Sequence, residues 1–170
     1  LLPFKVDVNN HPGLPDSYDV PPGGSSKVYN FTVAISGHLL ASGGHMHDHG
    51  VEMRIEDVAT GKVLARVHAL RDAKGDVVGV SRQLLGVLGR GPHLIAGHPY
   101  RLVSVYENKT GRPIEGVMGV FGGLFAPDDY KQLPRVDKTS KDYLTDISLV
   151  PSLDPNSSFL AAPFVSFGLR

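Results

Sequence analysis

Residues 51–70 read VEMRIEDVATGKVLARVHAL, and this stretch decides the fold class. In its first six residues, apolar and charged side chains alternate, which is the period of a strand with one buried and one solvated face. Ala59-Thr60-Gly61-Lys62 has the composition of a turn, and residues 62–70 supply a partner strand. The sequence therefore predicts a β-hairpin whose register is fixed by the turn.

Further segments of the sequence are also predicted to be strands. Residues 27–36, 100–107 and 114–122 are predicted strands, each bounded by turn residues. Residues 1–25 are rich in Pro, Asn and Gly, and they predict an irregular lead-in to the first long strand. The 20 glycines and 13 prolines mark frequent turns. We therefore predict an all-β, antiparallel β-sandwich.

One main domain is expected in a chain of 170 residues. The predicted domain covers residues 1–126, including the lead-in. From Pro127 the composition becomes polar and broken by prolines, so residues 127–170 are predicted to be a tail that packs on the domain or extends from it. Phe159, Leu160 and Phe164 are apolar side chains that the tail could bury.

The bulk composition excludes several classes of function. Seventeen Lys and Arg residues balance 17 Asp and Glu residues, so no excess of positive charge attracts nucleic acid. No apolar run approaches the roughly 18 residues that a membrane span requires. Without cysteine there is no disulfide and no thiolate, so a metal would be held by imidazole, carboxylate or thioether.

The predicted location is extracellular, secreted or periplasmic. The chain opens at Leu1 like a mature segment whose targeting signal has been removed. Asn30, Asn108 and Asn156 each precede a Ser or Thr by two positions, which is the pattern of a glycosylation acceptor in a secreted protein.

Three of the eight histidines, His45, His47 and His49, lie within five residues. In an extended segment all three rings would project from one face, and neutral imidazole is a common ligand for copper, zinc and iron. We predict that His45 and His47 bind one metal ion. His49, beside Gly50, is a candidate for a further ligand or for a hydrogen bond to one. The alternative is a solvated surface patch.

Met118 is the candidate third ligand. A methionine in an apolar strand often fills a core, which is the alternative for Met118. Here, however, four glycines leave space around it: Gly116, Gly119, Gly122 and Gly123. A thioether beside two imidazoles favours copper, particularly cuprous copper, over zinc or magnesium.

These motifs also resemble a known family. The runs His45 to Gly50, Gly97 to Leu102, Tyr106 to Asn108 and Gly116 to Gly119 resemble the second copper domain of peptidylglycine α-hydroxylating monooxygenase and dopamine β-monooxygenase. The similarity covers roughly residues 15–126. It implies a jelly-roll sandwich with one copper ion held by His45, His47 and Met118, since the family has a His-x-His pair and a methionine about seventy residues later.

The resemblance further implies a copper-dependent monooxygenase-like oxidoreductase that activates dioxygen beside a small-molecule or peptide substrate. An electron donor is then required, either external or supplied by a partner domain in a longer parent protein. The other class of function is a copper carrier or electron-transfer module without oxygen chemistry.

A third possibility is a cupin-like metal site formed by His45, His47 and Glu52, because the spacing of these residues fits the cupin pattern. Four of the remaining histidines lie in predicted strands or turns and are predicted to make structural hydrogen bonds: His38, His68, His93 and His98. His11 lies in the predicted irregular lead-in, and none of the five is expected to bind metal.

Overall fold

The computed structural model describes residues 1–10, 15–87, 90–133, 137–141 and 144. The described part of residues 1–133 forms strands β1 (Leu2–Asp7), β2 (Tyr18–Val20), β3 (Gly23–Phe31), β4 (Gly37–Met46), β5 (Gly50–Asp57), β6 (Val63–Arg71), β7 (Val77–Val80), β8 (Gln83–Leu84), β9 (His93–Leu94), β10 (Tyr100–Asn108), β11 (Ile114–Val117) and β12 (Gly119–Pro127), followed by a 3₁₀ helix (Tyr130–Gln132). No helix in these residues is long and apolar enough to cross a membrane.

The strands form two main antiparallel sheets. The first has the order β1-β12-β4-β8, with β9 also paired to β4. The second has the order β3-β10-β5-β6-β7, and β2 and β11 form a small separate sheet. The prediction of an all-β, antiparallel, sandwich-like fold is confirmed. The jelly-roll connectivity stays a prediction.

The hydrophobic core contains residues of both main sheets. Met53, Ile55 and Leu102 of the second sheet are fully buried, as are Leu39 and Phe121 of the first. Each such side chain contributes about 1.5–3 kcal/mol by leaving water. The core therefore holds the inner faces of the sheets together and leaves their outer faces for polar side chains.

The predicted hairpin is confirmed as β5 and β6. Met53 and Ile55 point into the core, as the alternation of the sequence requires. Asp57 Oδ1 accepts a hydrogen bond from the Thr60 N–H at 3.0 Å, and Gly61 takes a φ of 71°. The turn chemistry therefore sets the register of the pair.

A β-bulge in β4 decides which of its side chains face outward. The register with β12 shifts between Leu124 and Phe125, and Leu40 is left as an extra residue on β4. An extra residue reverses the alternation of the strand beyond it. His38 and His45 are seven residues apart, and a regular strand would place them on opposite faces. Because of the bulge, both lie on the outer face of the first sheet.

The prediction of an irregular lead-in over residues 1–25 is wrong for β1, which pairs with β12 at the edge of the first sheet. Pro3 lacks an N–H group, but an edge strand needs hydrogen bonds on one side only. Phe4 is 4% exposed, and its ring lies edge-on to Phe121 at 6.4 Å. The lead-in therefore contributes to the core.

Two predicted strands have different bounds. The strand predicted at residues 27–36 is β3, which begins at Gly23 and ends at Phe31. The strand predicted at residues 114–122 is divided at Met118 into β11 and β12. Gly116 has a φ of 68°, a left-handed conformation that glycine adopts at little cost, and it ends the regular extension of this segment.

The chain divides into two compact units, Leu1–Tyr130 and Lys131–Arg170. In the second unit, only residues 131–133, 137–141 and 144 are described. The predicted boundary at residue 126 and the predicted tail therefore stay predictions. The apolar residues assigned to the tail, Phe159, Leu160 and Phe164, lie outside the described residues, as does His11.

Asn108 has a structural role. It is 1% exposed, its Nδ2 donates to the Arg112 carbonyl at 2.7 Å, and its Oδ1 accepts from the Thr110 N–H at 3.0 Å. A buried amide with these partners cannot carry a glycan in the folded protein. Asn30 is exposed, and Asn156 lies outside the described residues. The secreted location stays a prediction.

Replacing Phe4 with alanine tests whether β1 belongs to the core. The loss of a buried aromatic ring removes its transfer free energy and leaves a cavity, so we expect the free energy of unfolding to fall by about 3 kcal/mol or more. Leu124→Ala on the neighbouring β12 is the control, because Leu124 is 44% exposed. We expect it to lose under about 1 kcal/mol. Equal losses in urea unfolding would show that β1 is peripheral.

Candidate metal centres

His45 lies near the end of β4 on the outer face of the first sheet, and His47 follows the strand by one residue. Met46, between them, is 3% exposed and packs into the core, so the side chain of His45 points the other way. The ring centroids of His45 and His47 are 4.9 Å apart, with 80° between the ring planes. Two rings this close can present one nitrogen each to the same ion.

Met118 lies next to the end of β4. Met46 and Gly119 form the last pair of the antiparallel ladder, and His47 follows Met46 while Met118 precedes Gly119, so both residues lie next to the same end of the ladder. Met118 is half-buried and adjoins the segment that carries His45 and His47.

A buried tyrosine joins the two segments. The Tyr106 hydroxyl accepts a hydrogen bond from the His47 N–H at 3.1 Å and donates one to the Met118 carbonyl at 2.5 Å. Tyr106 belongs to β10 of the second sheet and is 1% exposed. Burial raises the pKa of this tyrosine, so the hydroxyl stays protonated and able to donate at neutral pH. Sequence reasoning assigned no such role to it.

The electrostatics favour a neutral ring at His47. Partial burial lowers the pKa of His47 below its usual value, and the neighbouring His45 lowers it further. The carboxylate of Asp48 opposes these effects without cancelling them. Since the neutral imidazole is the form that binds metal, His47 is ready to act as a ligand near neutral pH.

His49 does not share the geometry of the other two histidines. The strand ends at Met46, and residues 47–50 form a turn in which the Gly50 N–H donates to the His47 carbonyl at 3.1 Å. His49 has a φ of 68°, whereas a strand residue has a negative φ. The expectation of three rings on one extended face is therefore wrong for His49, because the turn breaks the two-residue period. Its role as an additional ligand stays untested.

Glu52 does not join His45 and His47. It lies on the outer face of the second sheet, where Arg54 Nη1 approaches Oε1 at 2.8 Å and Arg66 Nη1 approaches Oε2 at 2.9 Å. Both carboxylate oxygens are thus engaged by guanidinium groups. The cupin-like set is wrong in this structure, since the sequence spacing ignores that β4 and β5 belong to different sheets.

The other described histidines fall into two groups. His68 Nδ1 lies 3.7 Å from Glu52 Oε2, which is beyond hydrogen-bond distance, and His98 Nε2 lies 3.1 Å from Asp57 Oδ2. His38 and His93 instead come together with Asp128, and one ligand atom from each of the three lies within 4.8 Å of the others. This group could hold a metal ion.

Sequence reasoning missed the group of His38, His93 and Asp128. The pair of histidines is 55 positions apart, and 35 more positions separate His93 from Asp128. No short motif contains them, and only the pairing of β9 and β12 with β4 brings them together. The two-residue strand β9 has too little pattern to be recognised from the sequence.

Comparison with known proteins gives no family assignment. No protein-family model, no curated protein and no solved structure matches this chain.

Histidine titration tests the electrostatics at the end of β4. We expect His47 of the metal-free protein to titrate below its ordinary value of 6.5, and His45→Ala to move that pKa upward, because one of its two depressing causes is gone. The folded state then binds fewer protons than the unfolded state, so this contribution to stability is complete above about pH 6.5 and is lost as the pH falls through the folded pKa. Histidine proton shifts measured by NMR report both values. A His47 pKa at or above 6.5 would contradict the conclusion that burial and His45 lower it.

Proposed function

We propose that this chain binds a single copper ion through His45, His47 and Met118, and that the protein is a monooxygenase-like copper domain. The observation that supports the proposal is the hydrogen bonding of the Tyr106 hydroxyl to the main chain of both His47 and Met118, which adjoin the same end of the β4–β12 ladder. His45, two residues back, has its ring beside that of His47.

The donor set fits cuprous copper. Two imidazoles and a thioether are soft or borderline ligands, and a methionine ligand selects copper over zinc, magnesium or calcium. The lowered pKa of His47 favours the unprotonated ring that coordination requires. Copper bound by three such ligands supplies one-electron redox chemistry and reactivity toward dioxygen.

The protein residues would orient the ion and leave one side of it accessible. His45 is exposed, while His47 and Met118 are half-buried, so an ion held by these residues would be accessible to solvent beside His45. The resemblance of the His-x-His and methionine motifs to the second copper domain of the peptidylglycine and dopamine monooxygenases supports oxygen chemistry at such an open position. A substrate, an electron donor and a partner domain belong to this proposal, as does a secreted location.

A second candidate function is copper transfer without oxygen chemistry. The exposure of His45 favours it, because a partner protein could exchange copper by replacing the most accessible ligand first. The two functions share the same ligands and differ in what the bound ion does next.

Copper stoichiometry and affinity test the ligand set. We expect His47→Ala to abolish stoichiometric binding, and Met118→Leu to weaken cuprous binding about tenfold or more. Met46→Leu is the matched control, since Met46 is the adjacent methionine whose side chain is in the core. Competition with a chromophoric cuprous chelator measures the affinities. The ligand set is rejected if Met118→Leu binds cuprous copper as tightly as Met46→Leu does.

Oxygen reactivity separates the two candidate functions. If the domain is monooxygenase-like, cuprous protein supplied with oxygen and ascorbate should hydroxylate an added substrate or release hydrogen peroxide. The His47→Ala variant, treated with the same total copper, corrects for ion in solution. A wild-type rate no greater than that of His47→Ala, with reversible copper exchange intact, favours the carrier.

Tyr106→Phe tests the link between the two ligand segments. Loss of the hydroxyl leaves the His47 N–H and the Met118 carbonyl without this partner, which should cost about 1–3 kcal/mol of stability and weaken cuprous binding about tenfold. Tyr100→Phe is the control, because the Tyr100 hydroxyl also accepts a main-chain hydrogen bond, from Ile95 at 2.7 Å. It should lose stability while keeping copper affinity. Equal copper affinities in the two variants would show that Tyr106 does not position the ligands.

A further inference from the structure

Three neighbouring strands of the first sheet bring a second set of ligands together. His38 of β4 pairs directly with His93 of β9, and on its other side with Ala126 of β12. Asp128 follows β12 by one residue and is held in place by its N–H, which donates to the Ser36 carbonyl at 3.0 Å. The side chains of His38, His93 and Asp128 meet on the outer face.

The two rings and the carboxylate converge. The rings of His38 and His93 are stacked, with centroids 4.6 Å apart and 29° between their planes. Asp128 Oδ2 lies 2.7 Å from His93 Nε2, and its Oδ1 lies 3.8 Å from His38 Nε2. Each carboxylate oxygen therefore faces a different imidazole nitrogen.

The orientation of His38 is that of a metal ligand. Its Nδ1 lies 2.8 Å from the Gly91 carbonyl, which can only accept, so Nδ1 carries the proton in this hydrogen bond. In the neutral ring the lone pair is then on Nε2, the nitrogen that faces Asp128. A carbonyl that fixes the ring in this way is a common partner of histidines that bind metal.

The segment that supplies this carbonyl is itself fixed. The Leu39 N–H donates to the Pro92 carbonyl at 2.9 Å. A Cβ atom on Gly91 would lie 2.0 Å from the Leu39 carbonyl oxygen, so glycine allows the chain to approach β4 this closely. The backbone contacts between this segment and β4 therefore hold the Gly91 carbonyl in position to accept the hydrogen bond from His38.

We propose that His38, His93 and Asp128 form a second metal site, which binds a divalent transition-metal ion of the zinc class. Two imidazoles with one carboxylate suit zinc, whereas magnesium and calcium prefer oxygen ligands throughout and cuprous copper prefers softer ones. The three side chains are 29%, 43% and 43% exposed, so a water molecule can complete the coordination. The bound ion fastens β9 and the end of β12 to β4.

This site is separate from the proposed copper site. His38 and His45 are seven residues apart along β4, which at about 3.3 Å per residue is roughly 20 Å. No single ion reaches both sets of ligands. The second site therefore stands or fails independently of the first, and variants can remove either one alone.

Zinc binding to the full-length chain in a His47→Ala background isolates the second site. After chelator treatment, we expect this variant to bind one equivalent of zinc in equilibrium dialysis, and to show the visible spectrum of a tetrahedral site when cobalt replaces zinc. Adding His93→Ala should abolish both signals. Adding His68→Ala is the matched control and should leave them unchanged, since His68 is an exposed histidine on the other sheet.

His93→Ala could lose zinc because it misfolds, so Asp128→Asn is a second test of the site. This substitution keeps the shape of the side chain and removes its charge. We expect zinc to raise the melting temperature of the His47→Ala protein and to leave that of His47→Ala/Asp128→Asn unchanged. The proposal is overturned if zinc does not bind to His47→Ala at one equivalent, or if His93→Ala and Asp128→Asn leave the zinc affinity as it was.

Discussion

The antiparallel pairing of β4 with β12 is the interaction on which both candidate sites depend. It runs from Gly37 opposite Pro127 to Met46 opposite Gly119, and so spans the length of the first sheet. At one end the next residues are His47 and Met118, and at the other they include Asp128. The pairing brings His38 near Asp128 and places His47 and Met118 next to the same end of the ladder, although these residues are distant in the sequence.

The bulge at Leu40 allows His38, near one end of β4, and His45, near the other, to lie on the same outer face. Without it, an outward His45 would require an inward His38, where an ionisable ring would face the core at a cost of several kcal/mol or lose its proton. Close approach of the two strands needs glycine: a Cβ atom at Gly44 would lie 2.2 Å from the Val120 carbonyl oxygen, and one at Gly123 would lie 2.3 Å from that of Ala41. Gly44, next to the histidine motif, thus serves strand packing.

Part of this arrangement is predictable from the sequence, since some of it is encoded locally. The β5–β6 hairpin follows from alternation and a turn, and the His45 and His47 pair follows from the two-residue period of a strand. His49 was misjudged because a turn begins one residue after the strand ends. The group of His38, His93 and Asp128 depends on a bulge and on the pairing of a two-residue strand, neither of which has a recognisable pattern. Glu52 is a case in which the sequence pattern misleads. Its spacing from His45 and His47 fits a cupin-like site, but Glu52 belongs to a different sheet.

The register of β4 is strongly specified, and both candidate sites depend on it. A slip of one residue against β12 would exchange the two faces of the strand, moving His45 and His38 inward and Met46 outward. That exchange loses buried apolar area and desolvates two imidazoles. It also separates the Tyr106 hydroxyl from the His47 N–H and the Met118 carbonyl, which it contacts only in the native register. Metal ions bound at the two ends would bind the native register alone, so each would add its binding free energy to the same pairing that forms its site.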